Sequence, residues 1–172
     1  MATQNKKGRS SMVNIVSTTI DTRLIHRQIT GYWLSTVGSN ILLVVNDTVA
    51  KDALRQELLK RMAPVHIHIK FYTVEEAYLW LRQADRLQKI AIVCANPYDI
   101  VKLVEAGFPI QKVTIGYMGM GNGKRQVTSN IAVDEADVFY FRRLQNLNIR
   151  LEIRKYPYYE LEDISKVFEE EW

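Results

Sequence analysis

Short apolar runs alternate along this chain with stretches whose apolar residues recur every third or fourth position, the signatures of strands and amphipathic helices. Val13 to Ser17 predicts a first strand. From about Arg27 to Val37, Ile29, Trp33, Leu34 and Val37 share one helical face, and Gly38 follows as a stop. Ile41 to Asn46 is apolar on both faces, as a central parallel strand should be. Asp47 or Thr48 is then expected to cap a helix whose inward face is Ala50, Leu54, Leu58 and Met62, ended by Pro64. In HIHIKF the alternation puts Ile67, Ile69 and Phe71 on one face, leaving His66 and His68 together on the other. Thr73 to Glu76 is a capping box opening a helix with Ala77, Leu81 and Ala84.

Lys89 to Ala95 predicts a fourth strand, followed by Asn96 as cap, Pro97 in the first turn, and Ile100, Val101 and Val104 along a helix that stops at Gly107. A fifth strand begins at Val113 to Ile115, and the loop GYMGMGNGKRQ leads to a sixth near Val127 to Val133. Asp134 caps a helix bearing Val138, Phe141 and Leu144, Ile149 to Ile153 is a seventh strand, and Leu161 to Phe168 fits a closing helix. The alternation predicts an α/β fold: a single-domain, doubly wound, mostly parallel sheet of about seven strands with helices on both faces.

Length and charge refine this picture. At 172 residues the chain suits one core, expected over residues 12–172. Residues 1–11 lack large apolar side chains after Met1 and read as a flexible tail or expression remnant, without a signal-peptide pattern. That tail carries Lys6, Lys7 and Arg9, so it supplies +3 of the formal net charge of +4. The remainder is close to neutral, which argues against a nucleic-acid partner. The apolar runs are too short to span a bilayer, so a soluble chain is expected. The single cysteine, Cys94, lies within IAIVCA and reads as a small core residue.

The candidate chemistry gathers in DTRLIHRQ. His26 falls between a strand end and a helix start, where free backbone N–H groups can hold an anion. Arg23 adds a planar, permanently charged donor fork suited to phosphate oxygens, and Thr18, Thr19 and Thr22 add hydroxyls. The set points to a phosphorylatable histidine; the plainer reading is a histidine that caps or packs the first turn. Asp21 could orient Arg23, hold loop amides, or serve as an Asx-type turn residue. No P-loop signature and no compact His/Cys/carboxylate cluster is present in the sequence, so neither nucleotide, metal nor other cofactor is expected.

DTRLIHRQ resembles the Asp-x-Arg-Leu-Ile-His-Gly-Gln phosphorylation loop of the IIB subunits of the mannose/fructose/sorbose family of the bacterial sugar phosphotransferase system. It matches at Asp21, Arg23, Leu24, Ile25, His26 and Gln28. Further likeness runs in order through Asp47 to Asp52, Asn96-Pro97, Gly116, Gly123, Lys124 and Gln126, and Val133-Asp134. The resemblance implies a cytoplasmic phosphotransferase, peripheral to the inner face of the cell membrane. Such a chain takes a phosphoryl group from a IIA phosphohistidine onto His26 and passes it to a sugar held by the membrane IIC and IID subunits; a homodimer is left open. Arg23 would clamp the phosphoryl group, with Asp21 beside it; Thr22, Arg27, Gln28 and Asn96 would complete the phosphate loop, although Asn96 is equally explained as a plain cap.

Two residues depart from the family pattern. Arg27 stands where a glycine usually follows the histidine, and Thr19 where an arginine usually stands two residues before Asp21. Together they move one cation across the loop, so Arg27 either replaces the missing charge or obstructs the donor. The second outcome would suit a phosphorelay-derived binding or regulatory protein; a third reading is a small-ligand module in which His26 is only a contact. The loop holding Gly119, Gly121 and Gly123 precedes a strand pattern and so fails the dinucleotide fingerprint; it reads as a flexible or partner-facing connection. Tyr156, Tyr158 and Tyr159 either line an interface or anchor the C-terminal segment.

Overall fold

A computed structural model of the chain describes residues 13–169. The expected tail lies outside them. In chain order the strands are β1 (Ile15–Asp21), β2 (Ile41–Val45), β3 (His68–Tyr72), β4 (Ile90–Cys94), β5 (Lys112–Tyr117), β6 (Arg125–Thr128), β7 (Ile131–Val133) and β8 (Arg150–Ile153). The α-helices are α1 (Leu34–Val37), α2 (Ala53–Lys60), α3 (Val74–Leu81), α4 (Pro97–Glu105) and α5 (Glu135–Asn146). Six strands form one sheet in the order β3-β2-β4-β1-β5-β8, and every pairing in it is parallel.

β2 and β4 are buried along their whole length, which explains why their sequences are apolar at every position. Alternate residues feed two cores. Leu43, Val45, Ile92, Val113 and Ile153 pack with Ala77 and Leu81 of α3, Ile100 of α4 and Phe141 of α5. Leu42, Val44, Ala91 and Val93 pack on the other face with Leu34 of α1 and Leu59 of α2. The helices following β1 and β2 thus cover one face, and those following β3, β4 and β5 the other. β1 and β5 are neighbours whose onward connections leave to opposite faces, so a crevice opens at the C-terminal end of β1.

Several expected elements are revised. β1 continues four residues beyond Ser17, because Thr19 and Ile20 pair with β4 and β5 on both sides. Thr18 and Thr19 are therefore buried strand residues and not phosphate-loop hydroxyls. The helix expected from Arg27 to Val37 opens as a six-residue π-helix, Gln28–Trp33, before the single turn of α1; Gly38 ends it with a φ of 64°. The expected sixth strand is the antiparallel hairpin β6–β7, turned at Ser129 and Asn130, so the described residues form eight strands in two sheets. The closing helix is one 3₁₀ turn, Ile164–Val167.

The second helix differs most. Asp52, not Asp47 or Thr48, caps α2, its carboxylate accepting from Arg55 N–H at 3.0 Å, while Asp47 accepts from the Val74 N–H. Only Leu59 of α2 is buried, whereas Leu54, Leu58 and Met62 project into solvent at 55–73% exposure. The four-residue spacing was real, but it marks the outer face. By contrast, the capping boxes Thr73/Glu76 and Asp134/Asp137 form as their spacing predicts.

Candidate functional site

Asp21 is the last residue of β1 and is 1% exposed. Its Oδ1 accepts from the backbone N–H of Arg23 at 2.9 Å and from Arg23 Nε at 3.0 Å; its Oδ2 accepts from Arg23 Nη2 at 2.9 Å. Oδ2 also meets His26 Nε2 at 2.7 Å. Orienting Arg23, holding a loop amide and making an Asx-type turn are thus all done by one carboxylate, and the contact to His26 adds a fourth task. Burial pushes the Asp21 carboxyl up, but the hydrogen bonds from His26 and Arg23 prevail and hold it below the usual carboxylate range.

An ionised carboxylate can only accept, so the proton between Asp21 and His26 belongs to Nε2. This leaves Nδ1 with a lone pair. The backbone N–H of Gln28 donates to Nδ1 at 3.2 Å, at the start of the π-helix. His26 thus caps the first turn through Nδ1, whose lone pair accepts this N–H. The imidazole is mostly buried, with 11% of its side chain exposed.

Arg23 is fixed from three sides. Its fork grips Asp21, Nη2 also donates to Gln28 Oε1, and the guanidinium lies 4.1 Å above the Tyr117 ring centroid. The loop between Asp21 and His26 is held by the buried side chains of Leu24 and Ile25. Leu24 has a φ of 62°, a left-handed conformation that a bulky residue adopts only when its surroundings impose it, at about 1–3 kcal/mol. Such strain favours a turn that places Arg23 and His26 on the same side of Asp21.

Gln28 is buried and belongs to the site through both its amide N–H and its side chain. Thr22 Oγ accepts from Gly119 N–H at 3.3 Å and its own N–H donates to Tyr117 O, so it ties the glycine loop to the rim. Arg27 is exposed in helical backbone, φ −54° and ψ −33°, so its side chain extends from the loop without strain. Thr19 lies on Asp21's face of β1 and is 2% exposed, so a cation there would be interior and not on the rim. Asn96 caps α4, its Oδ1 accepting from Asp99 N–H and its Nδ2 donating to Asp99 Oδ2; both amide groups serve the helix.

Two further residues complete the site, and of them the sequence marked only Gly116, as a point of likeness. Tyr117, at the end of β5, supplies the ring under Arg23, and Gly116 brings β5 against Asp21, where a Cβ would lie 3.6 Å from Oδ2. The hint available was their place at the C-terminal end of a strand; that this strand adjoins β1 required the fold. Elsewhere, His66 and His68 are exposed and Cys94 is buried, its thiol raised by burial and by the nearby Asp99 charge. Tyr156 packs edge-on against Tyr32 and stacks with Tyr158, anchoring the C-terminal segment, while Tyr158 and Tyr159 stay exposed.

The sequence profile described as PTS system sorbose subfamily IIB component matches residues 15–172. The chain belongs to this IIB family. Among curated relatives, the N-acetylgalactosamine-specific phosphotransferase enzyme IIB component 2 of Escherichia coli is 33% identical over 156 residues, covering 91% of this chain and 99% of that protein. The crystallised IIB domain of the sorbose permease of Klebsiella pneumoniae superposes with a TM-score of 0.85 at 27% identity, over 93% of this chain and 99% of the other. The mannose-specific EIIAB component of Escherichia coli is 34% identical over 79% of this chain, which spans 42% of that protein. IIB components are sugar phosphotransferases. No helix among the described residues is long and apolar enough to cross a membrane.

Proposed function

We propose that this IIB chain is a cytoplasmic phosphocarrier, peripheral to the inner membrane face, whose His26 Nδ1 takes a phosphoryl group from a IIA phosphohistidine. It then delivers that group to a sugar moving through the membrane IIC and IID subunits. The observation that carries the reading is the Asp21–His26 contact of 2.7 Å on Nε2, which reserves Nδ1 for the nucleophile. In the first step the Nδ1 lone pair attacks phosphorus as the donor's P–N bond breaks, and the His26 ring becomes cationic. Asp21, ionised and buried, stabilises that charge. The Gln28 N–H holds Nδ1 at rest and releases it as the lone pair turns to phosphorus, and Arg23, locked by Asp21, Gln28 and Tyr117, presents its remaining N–H groups to the phosphoryl oxygens.

Thr22 and Asn96 act through position, the first by tying down the glycine loop and the second by ordering the start of α4. Arg27 supplies a cation one residue from the phosphorylated ring. In the second step a sugar hydroxyl replaces Nδ1 at phosphorus and gives up its proton to solvent, the His26 P–N bond breaks, and the ring returns to its neutral, Asp21-bound form. The joining of IIA and IIB in the name of the mannose-specific relative supports IIA as the donor's class. Incubation with phosphoenolpyruvate, the general phosphotransferase proteins and a IIA domain, read by mass and peptide mapping, tests the proposal. The label should be acid-labile and alkali-stable, should reside on His26, and should vanish in His26→Ala while persisting in His66→Ala and His68→Ala. Label retained in His26→Ala overturns it.

A further inference from the structure

α2 and the turn after it are inverted with respect to ordinary packing. Leu54, Leu58, Met62 and Val65 are 73%, 55%, 56% and 103% exposed, whereas the helix contributes only Leu59 to the core. Positions four apart on a helix are neighbours, so the first three form one stripe, which the turn extends to Val65. An apolar area on the order of a few hundred Å², rimmed by charge, marks an interaction surface.

The rim is basic. Residues 51–61 hold Lys51, Arg55, Lys60 and Arg61 against Asp52 and Glu57, with Lys60 paired to Glu57, whereas Lys70 lies over the Trp80 ring on the α3 face of the sheet. The helix and its turn therefore carry a net charge of +2 beside the edge strand β3. Self-association would set this net-cationic face against its own copy, which like charge opposes. The apolar side chains also project individually from a helix instead of lining a recess, a form suited to a soft, deformable partner.

We propose that the outer face of α2 rests on an anionic phospholipid surface, with the Leu54-Leu58-Met62-Val65 stripe in the headgroup and acyl boundary and the flanking cations on lipid phosphates. This rests on the reading of the chain as a partner of membrane subunits, and it adds a direct lipid contact that keeps the carrier near them. The face lies on the β3 side of the sheet, three strands from β1, so His26 remains free for its donor.

Co-sedimentation of the full chain with phosphatidylcholine vesicles, with or without phosphatidylglycerol, tests this. Binding is expected only to the vesicles containing phosphatidylglycerol, and it should weaken as salt rises. Leu58→Asp with Met62→Asp should lower partitioning more than tenfold, and loss of each of Arg55 and Arg61 to Gln about fivefold. Because these side chains are exposed, folding and donor-dependent phosphorylation of His26 in solution should match the parent. Lys6→Gln, Lys7→Gln and Arg9→Gln together should leave vesicle binding in place; binding that disappears with these charges overturns the proposal. So does a failure to bind anionic vesicles, or a sedimentation result in which the parent is a dimer that Leu58→Asp with Met62→Asp dissociates. Vesicle binding with an unphosphorylated His26 would instead overturn the phosphocarrier reading and leave the lipid face standing.

Discussion

Asp21→Asn changes one buried atom and should disable the site almost completely. An amide has one accepting and one donating edge; the backbone N–H and Nε of Arg23 both donate at the Oδ1 position, so the amide oxygen settles there and the NH₂ replaces Oδ2. The NH₂ edge then faces His26 Nε2, where the carboxylate now sits at 2.7 Å. Nε2 must accept, the ring proton moves to Nδ1, and the nucleophilic lone pair is lost. Restoring the reactive tautomer costs about one hydrogen bond to a charged group, ~1.5–3 kcal/mol, or roughly 10- to 150-fold in rate. The cationic ring formed during transfer also loses its counter-charge; the same replacement in a serine-protease Asp–His pair costs about 10⁴. Single-turnover transfer from a saturating donor should therefore fall by about 10²–10⁴, with ring nitrogen shifts reporting a proton on Nδ1. Urea unfolding should show a loss of ~1–3 kcal/mol. The carboxyl's folded pKa lies below its ordinary value of 3.8, so its stabilisation exists above that value and is lost as pH falls through the folded one. The deficit of the variant should thus shrink in strong acid, where the parent carboxyl is itself protonated. Transfer within threefold of the parent rate, or a parent phosphorylated on Nε2, would refute the argument.

Arg23→Lys keeps the charge but cannot grip Asp21 with two N–H groups or lie flat on Tyr117, so transfer should slow by about 10- to 100-fold. Its melting behaviour should stay within ~1 kcal/mol of the parent, and unchanged transfer would remove Arg23 from the mechanism. Arg27→Gly should reduce transfer about fivefold, the value of roughly 1 kcal/mol for an exposed cation near a phosphoryl group; a faster rate would mean that Arg27 obstructs the donor. Asp99, beneath the Asn96 cap, has its carboxyl pushed up to about 6 chiefly by burial. Its ionisation opposes folding above the unfolded value, so the parent should gain stability as pH drops from 7 to 5. Asp99→Asn should flatten that profile and add up to about 3 kcal/mol at pH 7, as read by urea titration.

Local chemistry was enough for much of this molecule. Strand runs such as Ile41 to Val45 and the two capping boxes form where their residue spacing puts them, because hydrogen bonds within four residues and a side-chain period of two or 3.6 need no distant partner. The same locality placed His26 after a strand and before a helix, with Arg23 and Asp21 beside it. Which face of α2 turns inward was not local: Leu59 meets the β2–β3 side of the sheet, and Leu54, Leu58 and Met62, at an equally good spacing, face out. The division of Val127 to Val133 into a hairpin likewise follows from long-range pairing, as Met118 exchanges hydrogen bonds with Asn130 and Ala132. At the site, the carboxylate of Asp21 has one sequence but several available partners. Its choice of His26 Nε2 depends on the strained turn at Leu24, which packs with β2 and β4, and on the close approach of Gly116 and the ring of Tyr117, which β5 brings against β1. Periodicity is encoded along the chain, whereas the freed nitrogen of His26 exists only once strands distant in sequence have been brought side by side.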